Sequence, residues 1–194
     1  LVQDGAVQPA MALFAKIPAE QLQLDPSIRA SIADEVVKQI DGLLDKRDFT
    51  AAADRMEALY LLDPERAKSC QASMHLASAG AMRAAGDYAG ALEIYARDLY
   101  PEFPAIACDR GEAALREAAG HAHKTGDFAA AEALALGPGK ALLGEAGVSG
   151  LLAELYKDWG MTRLGEARFE EARVAFRRYY ALRPDEEMTL LKTV

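Results

Sequence analysis

Two cysteines, Cys70 and Cys108, are all the chain has in 194 residues, too few for a framework of disulfides. They lie 38 residues apart, on helices expected to be neighbours. A disulfide requires Cα atoms within about 7 Å, closer than packed helices usually bring them, so both read as buried or half-buried thiols. Such thiols favour a reducing compartment, and hence the cytoplasm. Basic charge is also in short supply: 22 Lys and Arg face 30 Asp and Glu, a formal net charge of -8. Binding to phosphate backbones or anionic lipid is driven by Lys and Arg density, so nucleic-acid and membrane-surface roles are disfavoured. No apolar run approaches the roughly 18–20 residues of a membrane span, and no signal peptide is visible. The first residue is Leu1 rather than Met, so the sequence reads as a processed or excised piece, and a removed leader stays open. β-Branched residues are scarce and alanine is abundant. Apolar residues recur at spacings of three and four, so helices are expected and almost no sheet.

What the chain has is repetition. The phrases RDFTAA (47–52), GDYAGA (86–91), GDFAAA (126–131) and ARFEEA (167–172) place aromatic residues at Phe49, Tyr88, Phe128 and Phe169, spaced by 39, 40 and 41. Three residues after each stands an alanine, one helical turn on, where a neighbouring helix would press close. Pro26, Pro64, Pro104 and Pro184 each suit a helix start, the first two behind an Asp that would serve as N-cap. Their spacings of 38, 40 and 80 leave one marker missing, which puts a degenerate start near Gly144 to Val148.

The stretch Trp159 to Pro184 carries the pattern best. Tyr156, Trp159, Gly160, Ala172, Phe176 and Pro184 alternate bulky and small residues as two closely crossing helices require, and a large residue at Gly160 should force those helices apart. This stretch resembles a tetratricopeptide (TPR) repeat when the unit is started at Ala153. Arg163 and Tyr179 depart from the pattern, standing where an aromatic and a small residue are usual. The period near 40 exceeds the 34 of typical TPR units and falls in the range of HEAT-type repeats, whereas the turn phrases favour a TPR-like unit with a longer first helix. The resemblance covers residues 26–190, most strongly 153–184 and least 130–150.

The expected fold is therefore all-α: a right-handed α-α superhelix, a TPR-like solenoid of antiparallel helix pairs, forming one domain over 1–194. Repeats fall at about 26–63, 64–103, 104–147 and 148–183, between an N-terminal cap at 1–25 and a capping helix at 184–194. Individual helices are expected at 26–46, 49–62, 64–85, 88–100, 104–124, 149–166 and 169–182. A further helix starts at Asp127 and breaks at Gly137-Pro138-Gly139. Five glycines crowd residues 137–150, so regular helix there should be at most a short piece around Lys140 to Glu145.

Catalytic patterns fail on their spacing. His121 and His123 point about 200° apart on a helix and cannot share a metal ion. GPGK at 137–140 has Leu134 and Ala141 where a phosphate loop needs Gly and Ser or Thr. Glu170-Glu171 and Glu186-Glu187 sit at helix starts, where they complement the dipole. No nucleophile and base can be paired, and Trp159 holds a core position. No cofactor and no enzymatic activity are expected.

The resemblance implies a groove lined by the first helix of each unit. Its usual groove positions fall on Asp34, Asp41 and Asp45 in the first unit, making that end acidic. They give a basic stretch at Arg83, Arg116, His123, Lys124 and Lys157 farther on. A non-catalytic scaffold binding a protein or peptide, acidic in character, is the function implied. The Lys and Asn of a carboxylate clamp are replaced by Val37 and Asp41, so no such clamp is expected. A ligand- or peptide-sensing regulatory segment of a larger protein, or a chaperone-like adaptor, is the alternative. Solenoid ends often mediate self-association, so a homo-oligomer is compatible with the pattern.

Overall fold

A computed structural model describes residues 25–184. Of the expected caps at 1–25 and 184–194, all but Asp25 and Pro184 lie outside the described residues. Within them the chain is helical and contains no strand. No helix among them is long and apolar enough to cross a membrane. Eight helices follow in order: α1 (Pro26–Asp45), α2 (Phe49–Leu62), α3 (Pro64–Ala84), α4 (Tyr88–Ile94), α5 (Pro104–Thr125), α6 (Phe128–Leu134), α7 (Lys140–Gly165) and α8 (Phe169–Leu182). Contacts divide the chain into two compact units, Leu1–Ser78 and Ala79–Val194, the boundary falling inside α3.

In the first unit, α1 carries a stripe of apolar residues spaced by four, buried at Ile32, Val36 and Ile40. It meets Ala52, Met56 and Leu59 of α2, with Leu62, Ala67 and Cys70 extending the core. Asp25 caps α1 by accepting from the Ser27 amide at 2.8 Å. Asp63 accepts from the Arg66 amide at 3.1 Å and caps α3.

The second unit holds two helix pairs, α5 with α6 and α7 with α8, preceded by the end of α3 and α4. Its largest fully buried side chains are Tyr95, Phe128, Phe176, Leu92, Leu99 and Val148. Each such residue withdrawn from water contributes about 1.5–3 kcal/mol. Gly160 lies against Phe176: a Cβ there would stand 2.3 Å from Phe176 Cε1. The expected close crossing of α7 and α8 is therefore real, and it depends on the missing side chain.

The four turn phrases share one backbone. Two residues before each aromatic the chain turns left-handed: Arg47 at φ 59, Gly86 at 83, Gly126 at 78 and Ala167 at 58. The next residue caps the following helix in three cases, with Asp48, Asp87 and Asp127 accepting from the amides of Ala51, Gly90 and Ala130. Arg168, in the fourth, offers no acceptor. The alanine after each aromatic is buried in all four turns.

Two expectations are corrected. Residues 137–150 are not a largely irregular segment. α6 passes through a π-helical turn, Ala135–Gly139, directly into α7, which breaks only at Gly144 (φ 72, ψ 177). A π turn leaves backbone groups outside the regular ladder, so Pro138, lacking an N–H, fits there. Gly139 permits close approach, since its Cβ would lie 2.8 Å from Leu115 Cδ1. Glycine lowered the local helix propensity without abolishing the helix, because packing outweighs propensity. The helix expected at 88–100 likewise ends its α-helical part at Ile94 and continues as a second π turn, Tyr95–Leu99. The two π turns begin 40 residues apart, and each lengthens its unit's second helix.

Candidate functional site

The second unit contains every residue of the expected basic stretch, on α3, α5 and α7. Arg83, near the end of α3, is 17% exposed and donates through Nε to Glu117 on α5 at 2.9 Å, through Nη2 to the same carboxylate, and through Nη1 to the Tyr95 hydroxyl at 3.5 Å. These bonds hold the Glu117 carboxyl below its ordinary range and raise the guanidinium. Arg116 donates to Glu112 on its own helix at 2.9 and 3.1 Å and to Glu154 on α7 at 3.2 Å. The same device occurs inside the first unit, where Arg66 of α3 pairs with Asp34 of α1. Successive first helices are thus tied by ion pairs, and two of the five expected groove cations already hold carboxylates of this chain.

The remaining three are differently placed. His123 and Lys124 stand exposed in the last turn of α5, where positive charge complements the carbonyl end of the helix. Lys157 is exposed on α7, its Nζ 5.8 Å from the centre of the Tyr179 ring. Spacings of 34 for Arg83–Glu117 and 38 for Arg116–Glu154, opposite charges about one repeat apart, were the signal that would have revealed the pairing.

On the same helices stand two glycines that also fall on the expected groove positions. Gly80 and Gly120 occupy equivalent positions 40 residues apart, both in right-handed helix and both exposed. A Cβ at either would meet nothing within 4 Å. Glycine inside a helix costs about 0.5–1 kcal/mol relative to alanine, and no neighbour among the described residues requires it at these two positions. Gly160 and Gly139 differ, since their Cβ positions are already occupied.

A polar and aromatic cluster ties α6, α7 and α8. Trp159 stacks on Phe128 with centroids 5.8 Å apart and planes 5° from parallel. The Arg163 guanidinium lies 5.9 Å from the Phe128 ring and donates to the Gly126 carbonyl at 3.1 Å and to Glu166 at 2.7 Å. Arg163 therefore fills, as a flat cation, the place where the repeat pattern uses an aromatic. Tyr156 donates to Glu132 at 2.6 Å, and Arg178 donates to the same carboxylate. Burial, with the Glu132 bond second, pushes the Tyr156 hydroxyl up to about 12. Beside this cluster is a cavity of about 300 Å³, lined by Leu136, Val148, Leu152, Tyr156 and Leu182. The charged groups that line it are paired, Lys140 with Glu145 at 3.2 Å and Arg178 with Glu132 behind the lining. His121 faces Tyr88, ring centroids 6.3 Å apart, beside another cavity of about 540 Å³.

Among the described residues no group of three or more His, Cys, Asp or Glu could hold a metal ion. Cys70 is buried and Cys108 half-buried, both as free thiols. Burial first, then Asp41, pushes the Cys70 thiol up, so it remains protonated. Comparison of the chain with protein-family models, curated proteins and solved structures finds no match.

Proposed function

We propose that these helix pairs are TPR-like units and that the chain is a non-catalytic scaffold, holding an acidic peptide along the first helices of its second unit. The peptide backbone passes over Gly80 and Gly120, and its carboxylates meet His123, Lys124 and Lys157. The observation that carries this reading is the pair of helical glycines, 40 residues apart, whose cost no described neighbour offsets. Close approach of a bound backbone is what a missing side chain permits. Arg83 and Arg116 serve here as ties between helices that hold the surface in shape, not as free contacts. A sensing role through the cavity beside Tyr156 is less well supported, because the charged groups that line it, Lys140, Glu145 and Arg178, already hold ion-pair partners within this chain.

An array of short synthetic peptides rich in Asp and Glu, probed with the wild-type chain and with Gly120→Leu, tests the reading. Helicity by circular dichroism should be the same in both. Peptides retained by the wild type should be lost, at least tenfold in affinity, by Gly120→Leu. Equal binding by the two proteins, or no binding by the wild type, would reject the peptide groove.

A further inference from the structure

The position held by Gly80 on α3 and Gly120 on α5 continues on α7, and there the residue changes. The third and fourth turn phrases are offset by 41 residues, so Gly120 corresponds to Met161. Where the first two helices present bare backbone, α7 presents a thioether that is 49% exposed. Two bonds between α5 and α7 bracket the place. Arg116 donates to Glu154 at 3.2 Å on one side, and Arg163 donates to the Gly126 carbonyl at 3.1 Å on the other. Gly120 lies between Arg116 and Gly126, and Met161 between Glu154 and Arg163, so the bonds set the two positions level on neighbouring helices. Beyond Met161 the surface is open: Gly165, one turn on, is exposed, and a Cβ there would meet nothing within 4 Å. Leu164 beside it is half-buried. Lys157, one turn before Met161, and Lys124, one turn past Gly120, are exposed and hold no carboxylate among the described residues.

We infer that Met161, with Leu164, is the anchor subsite of the groove, taking one leucine-like side chain from an extended, acidic segment of a partner protein. The inference rests on the peptide groove proposed above and names what that groove selects. Bare backbone at Gly80 and Gly120 lets the segment lie close, and Met161 ends the close track. Helices packed about 8–10 Å apart are spanned by roughly three extended residues, so a segment lying over Gly120 reaches Met161 three residues farther on. A thioether offers no donor to a carboxylate, but it is polarisable and moulds itself to an apolar partner. A wholly acidic segment would therefore leave Met161 uncovered. Charge defines the rest of the occupant, because Lys124 and Lys157 flank the anchor and attract carboxylates. Residues two apart on an extended chain share a face, so the acids stand two positions from the apolar residue.

The probes are two fluorescein-labelled synthetic heptapeptides, DEDLDED and DEDSDED, titrated with the full chain and followed by anisotropy. The leucine peptide should bind about tenfold more tightly than the serine peptide, as burial of one apolar side chain implies. Met161→Gln, close in size and at an exposed position, should abolish that preference and leave the affinity for the serine peptide unchanged. Val174→Gln, at an exposed apolar position on α8, should keep the preference. Circular dichroism and thermal unfolding check each variant's fold. Equal affinity of the two peptides for the wild type, with both lost in Gly120→Leu, overturns the anchor and leaves the groove standing. A preference that survives Met161→Gln, or that disappears equally in Val174→Gln, also overturns it, since the leucine is then held elsewhere. Absence of saturable binding of either peptide to the wild type rejects groove and anchor together, whether the face is bare or covered by other residues of this chain.

Discussion

A methyl group in place of the Gly160 hydrogen would stand 2.3 Å from Cε1 and 2.5 Å from Cδ1 of Phe176. Phe176 is fully buried and cannot swing aside. Gly160→Ala should therefore destabilise the chain by about 1–3 kcal/mol, and valine by more, in urea unfolding. Gly120→Ala should have the opposite sign, about 0.5–1 kcal/mol of stabilisation, because helix propensity improves and nothing is touched. Equal effects from the two substitutions would refute the distinction between packing and surface glycines. Sequence alone foresaw Gly160, because bulky residues flank it at helix-crossing spacing. The repeat resemblance placed Gly80 and Gly120 on groove positions, but it could not tell that the space above them is empty, which is a property of the fold. Arg163 shows the same limit: its departure from the repeat pattern was visible, but not that a guanidinium would lie flat on Phe128 and reach Gly126.

Among elements, the turns are the most regular and the most improvable. Left-handed backbone costs a residue with a Cβ about 1–2 kcal/mol, which Gly86 and Gly126 avoid and Arg47 and Ala167 bear. Ala167→Gly should raise stability by about 0.5–1 kcal/mol after allowance for the looser unfolded chain. Arg168→Asn should add about 1 kcal/mol by supplying the N-cap that Asp48, Asp87 and Asp127 provide elsewhere. The pairs it gives up, with Glu166 and Glu171, are half exposed and contribute little. Thermal unfolding of each variant checks both expectations, and a loss of stability in Arg168→Asn would mean those pairs outweigh the cap. These turns were legible because aromatic, capping acid and alanine sit at fixed offsets. The glycine-rich stretch was misread for a related reason. Glycine signals both a break and a close approach, and only Gly144 is the break, within the stretch where the missing proline marker placed a helix start.

Over the whole molecule, an acidic chain spends many of its cations on its own carboxylates. Periodicity revealed the helices and their spacing, but ion pairs between successive first helices depend on side-chain reach across neighbours, which a list of groove positions does not contain. Their contribution is sensitive to acid. Glu117 titrates below its ordinary value in the folded chain, chiefly because Arg83 donates to it. Its stabilisation is thus present above the unfolded carboxylate value, about pH 4.3, and is lost as pH falls through the lower folded value. Glu117→Gln should cost about 0.5–1 kcal/mol at neutral pH, a figure kept small by the 48% exposure of Glu117. The gap between variant and wild type should close below about pH 4. A gap that stays constant down to acid unfolding would mean that the charge of Glu117 is irrelevant.

Trp159 is the chain's only tryptophan. Its indole stacks on Phe128, faces Arg178 across its ring, and keeps its N–H buried without a hydrogen-bond acceptor. The protein thus carries a built-in optical probe at the seam between its last two helix pairs. Tryptophan emission follows the loosening of that seam in the second unit, while the first unit, which has no indole among its described residues, can open without altering the signal at its source.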